Sequence, residues 1–131
     1  MKQDRRHTAR NVLAAVRLVN GTIGLLLPDR FIARFDPGLP PSAAATYAFR
    51  LFGIRTVLLG IDLFTLEGAE LRRALQEGVL IHASDTLTAF LLGVRGRVPR
   101  RTAVLSTLIS TSNVALAVTA LNRARAGKGR G

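Results

Sequence analysis

The stretch TAVLSTLISTSNVALAVTAL, residues 102–121, contains no charged side chain, in a protein whose formal net charge is +11. At 1.5 Å rise per residue, a helix of that length covers a hydrocarbon core about 30 Å thick. It is the clearest membrane-spanning segment in the chain, and whatever fold forms must give it an apolar surrounding.

Three further apolar segments accompany it. The first covers residues 11–27 and ends at Pro28, which cannot continue a helix. The second covers 43–64 and follows the helix-breaking pair Pro40 and Pro41, with Ser42 as its N-cap. The third covers about 74–94. Hydrophobic residues make up 48% and mean hydropathy is +0.26, while most of the basic charge lies between and beyond the segments. That segregation points to an all-α, integral membrane antiparallel four-helix bundle forming one domain over residues 11–121. A basic N-terminal arm, 1–10, precedes it and a basic disordered tail, 122–131, follows. A soluble helical bundle is the competing reading, because the first three segments are each amphipathic. Between the first two segments, DRFIARF sets Phe31, Ile32 and Phe35 against Arg30 and Arg34, the pattern of a short interfacial helix. The N-terminal region imitates a signal peptide, but Arg17 and Asn20 interrupt its apolar run and no A-x-A site follows, so a retained anchor is expected.

Topology follows from the loops. With four spans, one face carries Lys2, Arg5, Arg6, Arg10, Arg72, Arg73, Arg123, Arg125, Lys128 and Arg130, and the other Arg30, Arg34, Arg95, Arg97, Arg100 and Arg101. The positive-inside rule then places both termini in the cytoplasm of a multi-pass protein of the cell membrane. The basic arms suit anionic lipid surfaces.

Several chemistries are excluded or unsupported. The chain has no cysteine, so disulfides, thiolate catalysis and Cys-ligated zinc or iron–sulfur centres are out. No aromatic-interleaved basic face and no nucleic-acid motif is present. There is no G-x-S-x-G elbow and no Gly-rich phosphate loop. His82 is the one histidine within the apolar segments, His7 lying in the basic arm, and the arginines expected in the same layer would repel a cation, which argues against a metal site. Neither a cofactor nor a reaction is assignable, and a non-enzymatic role is the expectation.

The charges inside the apolar segments carry the remaining information. Arg55 is nearly central in the second segment, YAFRLFGIRTVLLGIDLF, where insertion scales put a charge at about +2.5 to +3.5 kcal/mol. It therefore needs a partner on another helix. Counted inward from the face shared by the termini, Arg17, Asn20, Arg55, His82, Asp85 and Asn113 all fall six to eleven residues deep, within about 8 Å of height. At 100° per residue Arg55 and Asp62 share a face, whereas Arg50 points away and is expected to serve another helix or to snorkel. His82, Asp85 and Thr86 lie together on the third helix, and Ser106, Ser110 and Asn113 form a stripe on the fourth. The pairing this layer suggests is Arg55 with Asp85, with Arg17 reaching Asp62 or Glu77. Arg17, Arg50 and Arg55 outnumber Asp62 and Asp85 by one positive charge unless Glu77 joins them, which leaves a site for an anionic headgroup, a carboxylate or a polarised carbonyl.

The motifs RLFGIRTVLLGIDLF and GVLIHASDTLTAFLLG resemble those of small four-helix bacterial membrane proteins of the DoxX-like group and neighbouring domain-of-unknown-function families, over about residues 10–121. The resemblance implies the four-helix membrane fold and matches Arg50, Arg55, Asp62, His82 and Asp85. Some DoxX-like members are linked to membrane redox complexes and quinone chemistry. Two functional expectations stand side by side. One is an accessory or interaction protein, with another membrane protein or a second copy of itself as partner, whose polar cluster fixes helix register. The other is an intramembrane binding protein for a lipid, quinone or other small hydrophobic ligand, with Arg17, Asn20, Arg50, Arg55, Asp62, His82, Asp85 and Asn113 as the candidate residues.

Overall fold

The computed structural model describes residues 4–126 apart from 36 and 39, with side chains described from residue 8 onward. Its described residues form five helices: α1 (Asp4–Leu26), α2 (Pro28–Phe35), α3 (Ala43–Thr65), α4 (Gly68–Val94) and α5 (Arg100–Ala126). The boundaries reflect local chemistry. Pro28 has no N–H to continue α1 but suits the first position of a new helix, so the chain bends by 105° there and α2 begins. Ser42 caps α3 by accepting a hydrogen bond from the Ala45 amide at 3.1 Å. Gly96, at φ +63°, supplies the left-handed turn residue between α4 and α5.

The helices run further than the apolar segments. α1 begins at Asp4, inside the expected basic arm, and α5 continues to Ala126, inside the expected disordered tail; the rest of that tail, 127–131, lies outside the described residues. α4 takes up the polar stretch from Gly68 that reads as a linker. Helix propensity extends these ends beyond the apolar pattern, since Arg, Glu, Leu and Ala all form helix well.

Two antiparallel pairs make the bundle. α1 lies along α3 and α4 lies along α5, while α1 and α5 join the pairs. Consecutive helices α3 and α4, linked by Leu66 and Glu67, share little contact. In the first pair the backbones touch: a Cβ on Gly21 would stand 2.8 Å from Val57 N, and one on Gly53 would stand 2.7 Å from Gly21 O. Small residues that let helices approach this closely are the usual seam between membrane helices.

The apolar core is concentrated at one end. Leu13 and Ala14 of α1, Leu63 of α3, Leu75 of α4 and Ala117 of α5 are all but inaccessible, with Ala9, Leu71, Ala120 and Leu121 around them. These residues lie near the end where α1 starts and α5 finishes. At the other end α2 crosses the bundle and packs on α3 and α5.

Among the described residues, α5 alone is by itself long and apolar enough to cross a membrane, and α1 with α2 passes only as a bent pair. Four independently apolar spans, as the segments suggest, are thus not present. Arg50, Arg55 and Asp62 lower the hydropathy of α3, and Glu77, His82 and Asp85 lower that of α4.

Candidate functional site

Among the described residues, Arg17 is the largest fully buried side chain, 1% exposed. It leaves α1 and crosses toward α4. Its Nη1 donates to the Leu59 carbonyl at 3.3 Å and its Nη2 meets His82 Nε2 at 3.1 Å. Because a guanidinium only donates, His82 Nε2 must accept; the imidazole is neutral and carries its proton on Nδ1. Gly78 makes the crossing possible, since a Cβ there would occupy the space of Arg17 Nη2. Arg17 Nε is also buried, with no hydrogen-bond partner among the described residues.

The expected partners of Arg17 are therefore replaced. Asp62 is half-buried and attracts Arg17 through space but forms no ion pair with it among the described residues. Glu77 instead accepts from Arg73 Nε at 3.1 Å, one turn away on the exposed face of α4. Chain geometry explains the choice: α1 and α3 touch so closely at Gly60 that Leu59 presents its carbonyl to the guanidinium.

Arg55 and Asp85 do meet, with Nη2 donating to Oδ2 at 3.2 Å. The bond joins α3 to α4, but it is not buried as an intramembrane pair should be: the side chains are 45% and 34% exposed. Arg55 also stands 5.9 Å from the Phe52 ring centroid, within cation–π range. Arg50 lies apart from this cluster, exposed in a shallow groove beside Asp29, Pro41 and Tyr47. It is not a member of the buried group.

The two helix pairs leave a cavity of about 470 Å³ between them. Arg17, Asn20, Thr56, His82, Asp85 and Asn113 line its mid-depth part, and Thr56, His82 and Asn113 are themselves buried. Toward α2 the lining becomes aromatic, with Phe31 and Phe35 of α2 and Phe49 and Phe52 of α3 at centroid separations of 5.2 to 6.4 Å. From α5, Ser106 and Ser110 add hydroxyls along one wall. A hydrogen bond from Thr102 Oγ1 to the Phe35 carbonyl ties the start of α5 to the end of α2.

The phenylalanines, with the buried Thr56, are lining residues that the sequence does not assign to the site. The i,i+4 spacing of Phe31 and Phe35 was visible, but an interfacial helix would turn them toward lipid headgroups. Instead Ile32 is buried and both rings face the cavity, because the bend at Pro28 folds α2 back over the bundle. Among the described residues, no group of three or more His, Asp or Glu side chains is placed to hold a metal ion.

Chemically, the cavity combines one aromatic, apolar end with a hydrogen-bonding middle, the usual composition of a site for a small hydrophobic molecule with a polar head. No family model, curated protein or solved structure matches the chain.

Proposed function

We propose that this chain is a multi-pass protein of the cell membrane, with cytoplasmic termini, whose helical bundle binds a small amphipathic ligand between its two helix pairs. The observation that carries the reading is the division of one cavity into a Phe31/Phe35/Phe49/Phe52 end and an Arg17/His82/Asn113 middle. A polar cluster that only fixed helix register would be packed solid, and this one borders open volume.

Membrane placement is supported by the outward faces. Along α3, Tyr47, Leu51, Ile54, Leu58 and Ile61 are all exposed at alternating spacings of four and three, a continuous apolar stripe. Leu80, Leu87, Leu91 and Val94 are exposed on α4, and Val104, Leu108 and Val118 on α5. Water-facing surfaces rarely carry apolar stripes on so many neighbouring helices. The glycine seam between α1 and α3 points the same way. Basic side chains gathered at the helix ends suit contact with anionic lipid headgroups.

A second reading, an accessory protein held in shape by its polar groups, is favoured by the bonds themselves: Arg17 ties α1 to α3 and α4, and Arg55 ties α3 to α4. Native mass spectrometry of the gently extracted protein separates the two. A retained small molecule that is lost on Phe52→Ala supports the binding reading, and a ligand-free, fully stable protein supports the accessory one. Alkaline carbonate extraction tests the membrane assignment, which release into the soluble fraction would defeat.

A further inference from the structure

Among the described residues, the groups that Arg17 contacts are uncharged, and Asp62 attracts it only through space. His82 is neutral because its Nε2 accepts from Arg17, and the Asp85 carboxylate that borders the same space is already bonded to Arg55. Arg17's two protein acceptors, the Leu59 carbonyl and the His82 ring, are both uncharged. Its Nε has no acceptor among the described residues although Arg17 is 1% exposed. A buried guanidinium left in this condition is costly, and nearby hydrogen bonds from neutral groups recover only part of its lost hydration.

We infer that the cavity selects an amphipath with an anionic head and a single apolar tail, the head completing the coordination of Arg17 and the tail lying among the phenylalanines toward α2. This rests on the binding reading above. The head follows from the chemistry of the donor, since a guanidinium is matched by the planar or tetrahedral oxygens of a carboxylate or phosphate. The tail follows from the cavity's lining and size: about 470 Å³ bordered by Phe31, Phe35, Phe49 and Phe52 is room for one apolar chain. Fatty carboxylates and monoacyl phosphates share these features.

The test offers the purified full-length chain, in a neutral detergent, three probes with the same tail: hexadecanoate, hexadecyl phosphate and hexadecanol. Bound adducts are counted by native mass spectrometry. We expect at least one anionic probe to bind about tenfold or more above the alcohol in the wild type. Arg17→Gln should erase that preference, Phe52→Ala should weaken all three probes alike, and Arg50→Gln should leave the pattern unchanged because Arg50 lies outside the cavity. The wild-type comparison needs no variant to fold. A larger response to the carboxylate or to the phosphate identifies which head the site takes. Equal binding of acid, phosphate and alcohol overturns the selection for an anion while leaving an amphipath site in place. A preference lost equally on Arg50→Gln overturns it as surface attraction to a basic protein, and no binding of any probe overturns the cavity reading itself.

Discussion

Gly78→Ala probes the packing of Arg17 more directly than any change to Arg17 itself. In an ordinary helix interior this substitution stabilises by about 1 kcal/mol, because alanine gives up less backbone freedom on folding. Here the new Cβ would invade the position of Arg17 Nη2 and come within 3.4 Å of Cζ. The guanidinium cannot swing aside freely, since Nη1 holds the Leu59 carbonyl and Nη2 holds His82. Making room means releasing His82, and a hydrogen bond from a charged donor contributes about 1.5–3 kcal/mol. The balance is a net destabilisation of about 0.5–2 kcal/mol. Repeating the change in an Arg17→Met background removes the collision and leaves only the helix term, so the same substitution should then stabilise by up to about 1 kcal/mol. Denaturant titration of the four proteins in detergent, followed by far-UV circular dichroism, measures both steps. The reversal of sign is the diagnostic result. If Gly78→Ala stabilises the protein with Arg17 present, the guanidinium does not lie against Gly78, and the account of how it reaches α4 fails.

Two further outcomes follow from the same geometry. Gly53→Ala should cost about 1–3 kcal/mol, because the added methyl meets backbone atoms of α1, whereas Gly60→Ala should cost clearly less, since it meets the Leu18 side chain at 3.0 Å and that side chain can rotate; equal costs in unfolding titrations would argue against backbone contact between α1 and α3. Arg55→Ala and Asp85→Ala should show a coupling of about 0.6 kcal/mol, and at most about 1.7, in a double-mutant cycle, the range of polar pairs between membrane helices, and strictly additive single changes would show that the ion pair does not form.

Much of the helical layout can be read from residues with strong local effects. Pro28 and the Pro40–Pro41 pair bracket the breaks, Ser42 marks the start of α3, and the charge-free run of residues 102–121 lies within α5. Counting depth along the sequence also groups Arg17, Asn20, His82, Asp85 and Asn113, which line one cavity, because antiparallel helices of similar length bring equal depths together. The Arg55–Asp85 bond could be read with it, but the partners of Arg17 could not. Depth counting treats every helix as a neighbour of every other, whereas α1 reaches α4 only through the length of one arginine and the missing side chain of Gly78. Opposite charges suggested Asp62 for Arg17, yet a close helix seam set a carbonyl nearer than the carboxylate. For α2, amphipathicity identified a face but not what the face would meet. That depended on a 105° bend whose direction no local pattern specifies.

The uneven distribution of packing along the bundle bears on how it moves. Leu13, Leu63, Leu75 and Ala117 interlock at the end near the termini, while the opposite end is spanned by one short helix over empty volume. Local opening draws on regions with the fewest buried contacts, so amide protons in α2 and the adjoining ends of α3 and α5 should exchange through small fluctuations while those around Leu13 and Leu75 wait for global unfolding. The molecule thus has an anchored half and a breathing half. Exchange of material with the cavity can proceed through the second on a timescale set by α2, with the cooperative unit at the other end left intact.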